Sequence, residues 1–296
     1  MRICVIFNPS ARGNKARRFR RWLDGVAAEC ELRPTAGPND ARRIAAAAVR
    51  EKFDLIVAAG GDGTVNEVLN GLGDVPDGFA RARFGVLPLG TVNVFARELN
   101  LPLRHEAAWK ILKGGRELGI DLPVVEFAAQ GKVERRYFAQ LAGAGLDARA
   151  IELVSWRLKK KVGPLAYGFA GFQALAERQP KIIVRADGRD ISGELVLIGN
   201  GKFYGGAVPV FPAADLQNGR LEACVFPRVN LWRLLRCAPG LLVTRKLPEQ
   251  LVRRISAARL ELSSDEPVAF ELDGEWVGNL PAAFFIGPKK LRVVVP

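Results

Sequence analysis

Short apolar runs separated by polar, periodic stretches dominate the first 115 or so residues of the chain. Runs at 3–7, 54–59 and 84–89 are short enough for buried strands, and Cys30–Arg33 supplies another. Helical spacing appears at about 14–28, 39–52, 64–73 and 92–99. The third is clearest, with Val65, Val68, Leu69 and Leu72 on one face. Strand and helix in alternation predict an open parallel sheet covered by helices.

After about residue 120 the pattern becomes a series of strand-like pieces: Pro123–Phe127, Tyr137–Ala142, Lys181–Arg185, Gly193–Gly199, Arg220–Phe226, Arg259–Leu262 and Pro267–Leu272. A helix-rich stretch at about 147–178 interrupts them. Asp187-Gly188, Asn218-Gly219 and Asp273-Gly274 are hairpin-type turn signals. The expected architecture is α/β, with an N-terminal open parallel-sheet domain over 1–120 and a β-rich, antiparallel, sandwich-like domain over 121–285.

Composition narrows the function. At 49% apolar and 25% charged residues the chain has the make-up of a globular protein rather than a disordered one. No apolar run reaches the roughly 18 residues of a membrane-spanning helix. The N-terminus enters Ile3–Phe7 without a signal-peptide pattern, so a soluble, cytoplasmic protein is expected. Cys4, Cys30, Cys224 and Cys237 lack C-x-x-C spacing and read as buried thiols rather than zinc ligands or a disulfide framework. The single histidine, His105, falls at an expected helix start and reads as a surface residue. It excludes any mechanism built on a histidine pair. A net charge of +13 favours a polyanionic partner, whether nucleotide phosphate, an anionic membrane surface or nucleic acid, and charge alone does not choose among them. No nucleic acid is expected, because zinc-finger, RRM-like and helix-turn-helix signatures are lacking.

The loops at the ends of the buried strands carry the chemistry. Asn8, Pro9, Ser10 and Arg12 succeed the first strand; Gly60, Gly61, Asp62, Gly63 and Thr64 the second; Gly90, Thr91 and Asn93 the third. In an open parallel sheet these strand ends share one edge, where each loop opens a helix whose free N–H groups favour anions. Neither G-x-G-x-x-G nor G-x-x-x-x-G-K-[ST] is present, which argues against dinucleotide oxidoreductases and P-loop enzymes. Asp62 poses a difficulty, since a carboxylate repels phosphate unless a positive charge intervenes.

An ordered set of segments resembles the diacylglycerol kinase catalytic-domain superfamily, especially bacterial soluble lipid kinases and their sphingosine-kinase relatives. The set comprises Asn8-Pro9, Gly60–Glu67, Pro88–Asn93, Gly143–Gly145, Lys161–Gly163, Gly199–Gly206, Asn218–Leu221 and Leu272–Glu275. The resemblance implies a nucleotide-binding α/β domain and a β-rich lipid-substrate domain of the NAD kinase and diacylglycerol kinase type. It also implies that the chain end, about 286–296, returns to the first domain through Leu291–Val295. ATP is then held by the Asn8 loop, Thr35, the segment from Gly60 to Glu67 including Asn66, and the segment Gly90 to Asn93. Magnesium between Asp62 and the phosphates removes the repulsion. Glu275 is the implied proton acceptor with Asp273 as neighbour or substitute, and Lys161 and Arg12 are the cations expected to steady phosphate. A structural magnesium site would involve Asp215, Asn218 and the backbone of Arg220.

The implied partners are ATP, a lipid alcohol and, peripherally, the anionic inner face of a membrane; a homodimer is also allowed. Leu231–Arg236 and Leu241–Lys246 mix bulky apolar and basic residues, as either an interfacial segment or a helix packed on the second domain would. Three positions depart from the family pattern. Val94 stands where many members have aspartate, Asn218 where many have an acid, and Arg12 where a loop glycine is usual. The rival readings are an NAD kinase, which shares the glycine segment, and a non-catalytic nucleotide or lipid sensor.

Overall fold

The structure, a computed structural model, describes residues 1–9, 19, 21–23, 25–146, 148–149, 179–239 and 247–296. Ser10, Arg12, Lys161 and its basic neighbours, residues 14–18, 20 and 24 of the helical stretch at 14–28, nearly all of 147–178 and the segment 241–246 lie outside the described residues. The chain divides into two compact units, Met1–Leu122 with Gly287–Pro296 and Pro123–Ile286.

The first unit alternates strand and helix: β1 (Ile3–Phe7), β2 (Glu31–Pro34), α1 (Asp40–Arg50), β3 (Leu55–Gly60), α2 (Asp62–Gly73), α3 (Gly78–Arg81), β4 (Arg83–Pro88), α4 (Val94–Glu98) and α5 (His105–Gly114). The strands run parallel in the order β2-β1-β3-β4. Every residue of β3 is buried, as a parallel strand covered on both faces requires. The chain end joins this sheet in parallel beside β4, with Val293 opposite Phe84. His105 does open a helix, but its ring is not a surface group. It packs edge-on against Phe19 and Trp22, at centroid distances of 5.8 and 5.1 Å, because the helix start faces the apolar cluster over β1 and β3.

The second unit is antiparallel. Its strands are the end of β5 (Arg116–Ala129), β6 (Lys132–Tyr137), β7 (Leu141–Gly145), β8 (Ile182–Ala186), β9 (Arg189–Gly193), β10 (Leu195–Gly199), β11 (Leu221–Phe226), β12 (Arg253–Ala257), β13 (Arg259–Ser263), β14 (Ala269–Leu272), β15 (Glu275–Asn279) and the start of β16 (Ala282–Val295); α6 (Leu231–Pro239) comes after β11. One layer runs β12-β11-β10-β7-β14-β15. The other contains β16, β13, β8 and β9 with the β5–β6 hairpin. Phe127, Phe138, Phe270 and Phe284 fill the core between them.

Among the described residues three hairpins turn on two residues that both adopt positive φ: Gln130-Gly131, Asp187-Gly188 and Asp273-Gly274. The first lacks the Asn-Gly or Asp-Gly signal and is not legible in sequence. Asn218-Gly219, by contrast, joins no strand pair and ends a loop before β11. Gly193 closes β9 rather than opening β10, and the expected strand Tyr137–Ala142 is two strands with Phe138–Gln140 between them. β5 and β16 are each longer than their apolar pattern suggests, since each contributes to both units.

Among the described residues no helix is long and apolar enough to cross a membrane. All four cysteines are free. Burial pushes the Cys4 and Cys224 thiols up to about 12 and the Cys30 thiol to about 11, and raises Cys237. Native protein at pH 8 should therefore react with a thiol reagent about a hundredfold or more slower than free cysteine, and release all four thiols on denaturation. A rapid native phase would contradict this burial.

Candidate active site

Parallel registry fixes which loops meet. Phe7 lies level with Pro34 and Ala59, and Gly60 with Pro88, so Asn8, Thr35, the start of α2 and the segment after β4 share one sheet edge. Thr35 N–H donates to the Phe7 carbonyl at 2.8 Å, tying the first two strand ends together. The turn after β3 is tighter than the glycine count suggests. Gly60 is the last strand residue and Asp62 the first helical one, leaving Gly61 alone between them.

Gly61 and Gly90 are in backbone contact. A Cβ at Gly90 would lie 2.5 Å from the Gly61 Cα and 2.8 Å from Asn93 Oδ1, so no side chain fits. The N–H groups of Leu89 and Gly90 both donate to the Gly60 carbonyl, at 2.9 and 3.3 Å. Asn93, buried and left-handed, braces the turn: its Oδ1 accepts the Gly90 N–H at 2.9 Å and its Nδ2 donates to the Gly90 carbonyl at 2.7 Å. Asp62 Oδ1 accepts the Phe95 N–H at 3.3 Å, joining the starts of α2 and α4. No side chain caps α2. Its first N–H groups therefore face the same edge as bare glycine backbone, a donor set suited to phosphate oxygens.

Two residues of the expected ATP set serve the scaffold. Both Glu67 carboxylate oxygens accept backbone N–H groups at the start of α1, from Asn39 at 2.9 Å and Ala41 at 3.0 Å. Asn66 is buried, and its Oδ1 accepts from Asn70 Nδ2 at 3.0 Å. Among the described residues, the expected phosphate set contains no lysine or arginine.

The second unit holds the other acids. Asp273 occupies the β14–β15 turn with its carboxylate buried against the backbone between β6 and β7. It accepts N–H groups of Ala139, Gln140 and Leu141 at 2.8, 2.9 and 3.1 Å. Those donors are thereby withdrawn from strand pairing, which is why Tyr137–Ala142 is not one strand. Asn200, fully buried, holds the opposite side of the same segment. Its Nδ2 donates to the Ala139 carbonyl at 3.1 Å and its N–H to the Gln140 carbonyl at 2.9 Å. Gln140, which sequence reasoning missed, is buried in this clamp and donates to the Phe203 carbonyl at 3.2 Å. Glu275 opens β15 opposite Leu272 and is exposed.

Asp215 and Asn218 make local turns. Asp215 Oδ1 accepts the Gln217 N–H and Asn218 Oδ1 the Arg220 N–H, each at 2.9 Å. The Arg220 side chain reaches Asp187 and Ser256 instead. One carboxylate is little charge for a hard cation. Among the described residues no three His, Cys, Asp or Glu side chains gather as a metal site.

The profile of the diacylglycerol kinase catalytic domain matches residues 2–125, and that of the YegS C-terminal NAD kinase beta sandwich-like domain matches residues 140–295. A diacylglycerol kinase of Bacillus subtilis (strain 168) is 31% identical over 304 residues, covering 99% of this chain and 95% of its own. The chain belongs to the diacylglycerol kinase catalytic-domain family. A diacylglycerol kinase of Staphylococcus haemolyticus (strain JCSC1435) is 30% identical, covering 100% of this chain and 89% of its own. The crystal structure of a diacylglycerol kinase from Bacillus anthracis str. Sterne shares the fold with a TM-score of 0.72, at 20% identity over 100% of this chain and 97% of that one. Membership in this kinase family makes the chain a phosphotransferase with an alcohol acceptor.

The two acids of the Asp-Gly-Glu segment should behave differently in the folded protein. Asp273→Ala strands three buried N–H groups and should cost about 2–4 kcal/mol in urea unfolding, whereas Glu275→Gln should stay within about 0.5 kcal/mol of wild type. Equal stability losses would remove the distinction.

Proposed function

We propose that the chain transfers the γ-phosphate of ATP to a hydroxyl of a lipid, diacylglycerol or a sphingoid-like long-chain alcohol, while peripheral to the inner face of a membrane. The observation that carries this reading is the division of labour in the Asp-Gly-Glu turn. Asp273 is fastened to the backbone of Ala139–Leu141, and Glu275 is set exposed two residues later.

The first unit supplies the phosphate side. The Gly61–Gly90 pair lets the two turns close without side chains between them, and the uncapped start of α2 offers its free N–H groups and its dipole to phosphate oxygens. Asn8, Thr35, Thr64 and Thr91 stand at the same sheet edge as further donors. Magnesium bound with ATP would supply the positive charge that lets Asp62 face a phosphate. Val94, buried where many family members carry an acid, leaves Asp62 with one fewer carboxylate for that task. No step is assigned to the Asp215–Asn218 turn.

The second unit supplies the proton acceptor. An alcohol attacking phosphorus loses its proton, and Glu275 is the carboxylate we assign to take it; Asp273 holds the turn that both share. Glu275→Gln should lower turnover about 100-fold or more and leave ATP affinity within about twofold, since the amide keeps the shape but accepts no proton. Asp273→Asn should lower turnover together with thermal stability. Wild-type turnover in Glu275→Gln would overturn the assignment.

A further inference from the structure

We propose that the exposed start of α6 is a docking surface for an anionic lipid bilayer, an inference that rests on the lipid reading above for its choice of partner. Trp232 is 78% exposed and Leu231 beside it 39% exposed. Single apolar residues on a surface are ordinary; here they sit among arginines. From Arg228 to Pro239 the chain carries Arg228, Arg233 and Arg236 and no acid. Trp232 and Arg236 are one helical turn apart on the same exposed side, and Arg228 is exposed just before the helix.

The surface is built on a fixed base. Asn230 Oδ1 accepts the Arg233 N–H at 2.9 Å and caps the helix. Val229 and Cys237 are buried with Phe226 and Leu247, which anchors the helix from below. The Glu194 carboxylate accepts the Val229 N–H at 2.5 Å. An exposed indole on an anchored helix that also carries exposed Arg236, with exposed Arg228 just before it, matches an interface between acyl chains and anionic headgroups. The indole seats at headgroup depth and the arginines reach phosphates from aliphatic stems. A protein partner would need a complementary acidic surface, whereas the cytoplasmic leaflet offers negative charge throughout.

Co-sedimentation of the full chain with phosphatidylcholine vesicles, with and without phosphatidylglycerol, tests this. Wild type should bind the vesicles containing phosphatidylglycerol, and Trp232→Ala should bind them about tenfold more weakly. Combined Arg228→Gln and Arg236→Gln should also weaken binding and flatten its salt dependence. Phosphate transfer to a short-chain lipid alcohol dispersed in detergent should be unchanged in these variants. Equal binding by Trp232→Ala and wild type, indifference to phosphatidylglycerol, or no binding by wild type would each overturn the surface. Vesicle binding that depends on Trp232 without transfer to any dispersed lipid alcohol would leave the surface standing and overturn the kinase assignment.

Discussion

The contact between Gly61 and Gly90 is the constraint on which the loop edge of the first unit depends. Two turns that each end a parallel strand approach until only hydrogen atoms fit between them. This closeness makes the Gly60 carbonyl available to the N–H groups of Leu89 and Gly90, and it places the uncapped start of α2 beside the second turn. Asn93 and Asp62 then fix the geometry from the side, by bonding to Gly90 and Phe95. The outward-facing remainder is backbone, with donors whose positions are set before any ligand arrives. Pre-set donors of this kind are the resource phosphoryl transfer draws on, because its barrier is lowered mainly by positioning and charge neutralisation.

In the second unit a polar clamp plays the equivalent part. The three peptides from Ala139 to Leu141 have their N–H groups taken by Asp273, while Asn200 holds the carbonyls of Ala139 and Gln140. The Gly-Asn-Gly and Asp-Gly-Glu segments are therefore mechanically linked although more than seventy positions separate Asn200 from Asp273. Because three buried N–H groups depend on one carboxylate, a shift of the turn that carries Asp273 and Glu275 would strand them together.

Much of the fold could be read from periodicity. Alternation of buried strands and amphipathic helices signalled the parallel sheet, and Asp-Gly pairs located two of the three tight hairpins. Other features escaped because their causes are not local. Tyr137–Ala142 has the pattern of a strand, but a carboxylate 130 or more positions away claims its donors. His105 looked like a surface residue because nothing in its neighbourhood announces Phe19 and Trp22. Glu67 and Asn66 fell inside the motif expected to hold ATP, yet their side chains bond to α1 and to Asn70 respectively. A motif marks where a site is built and does not separate the residues that build it from those that touch the ligand.

Transfer of labelled γ-phosphate from ATP, with magnesium, to a panel of diacylglycerol, monoacylglycerol, sphingosine, phosphatidylglycerol and NAD tests the central claim most directly. The account predicts label in an organic-phase lipid product, whose identity names the acceptor. Label only in NADP, or tight ATP binding with no transfer to any lipid alcohol, would contradict it.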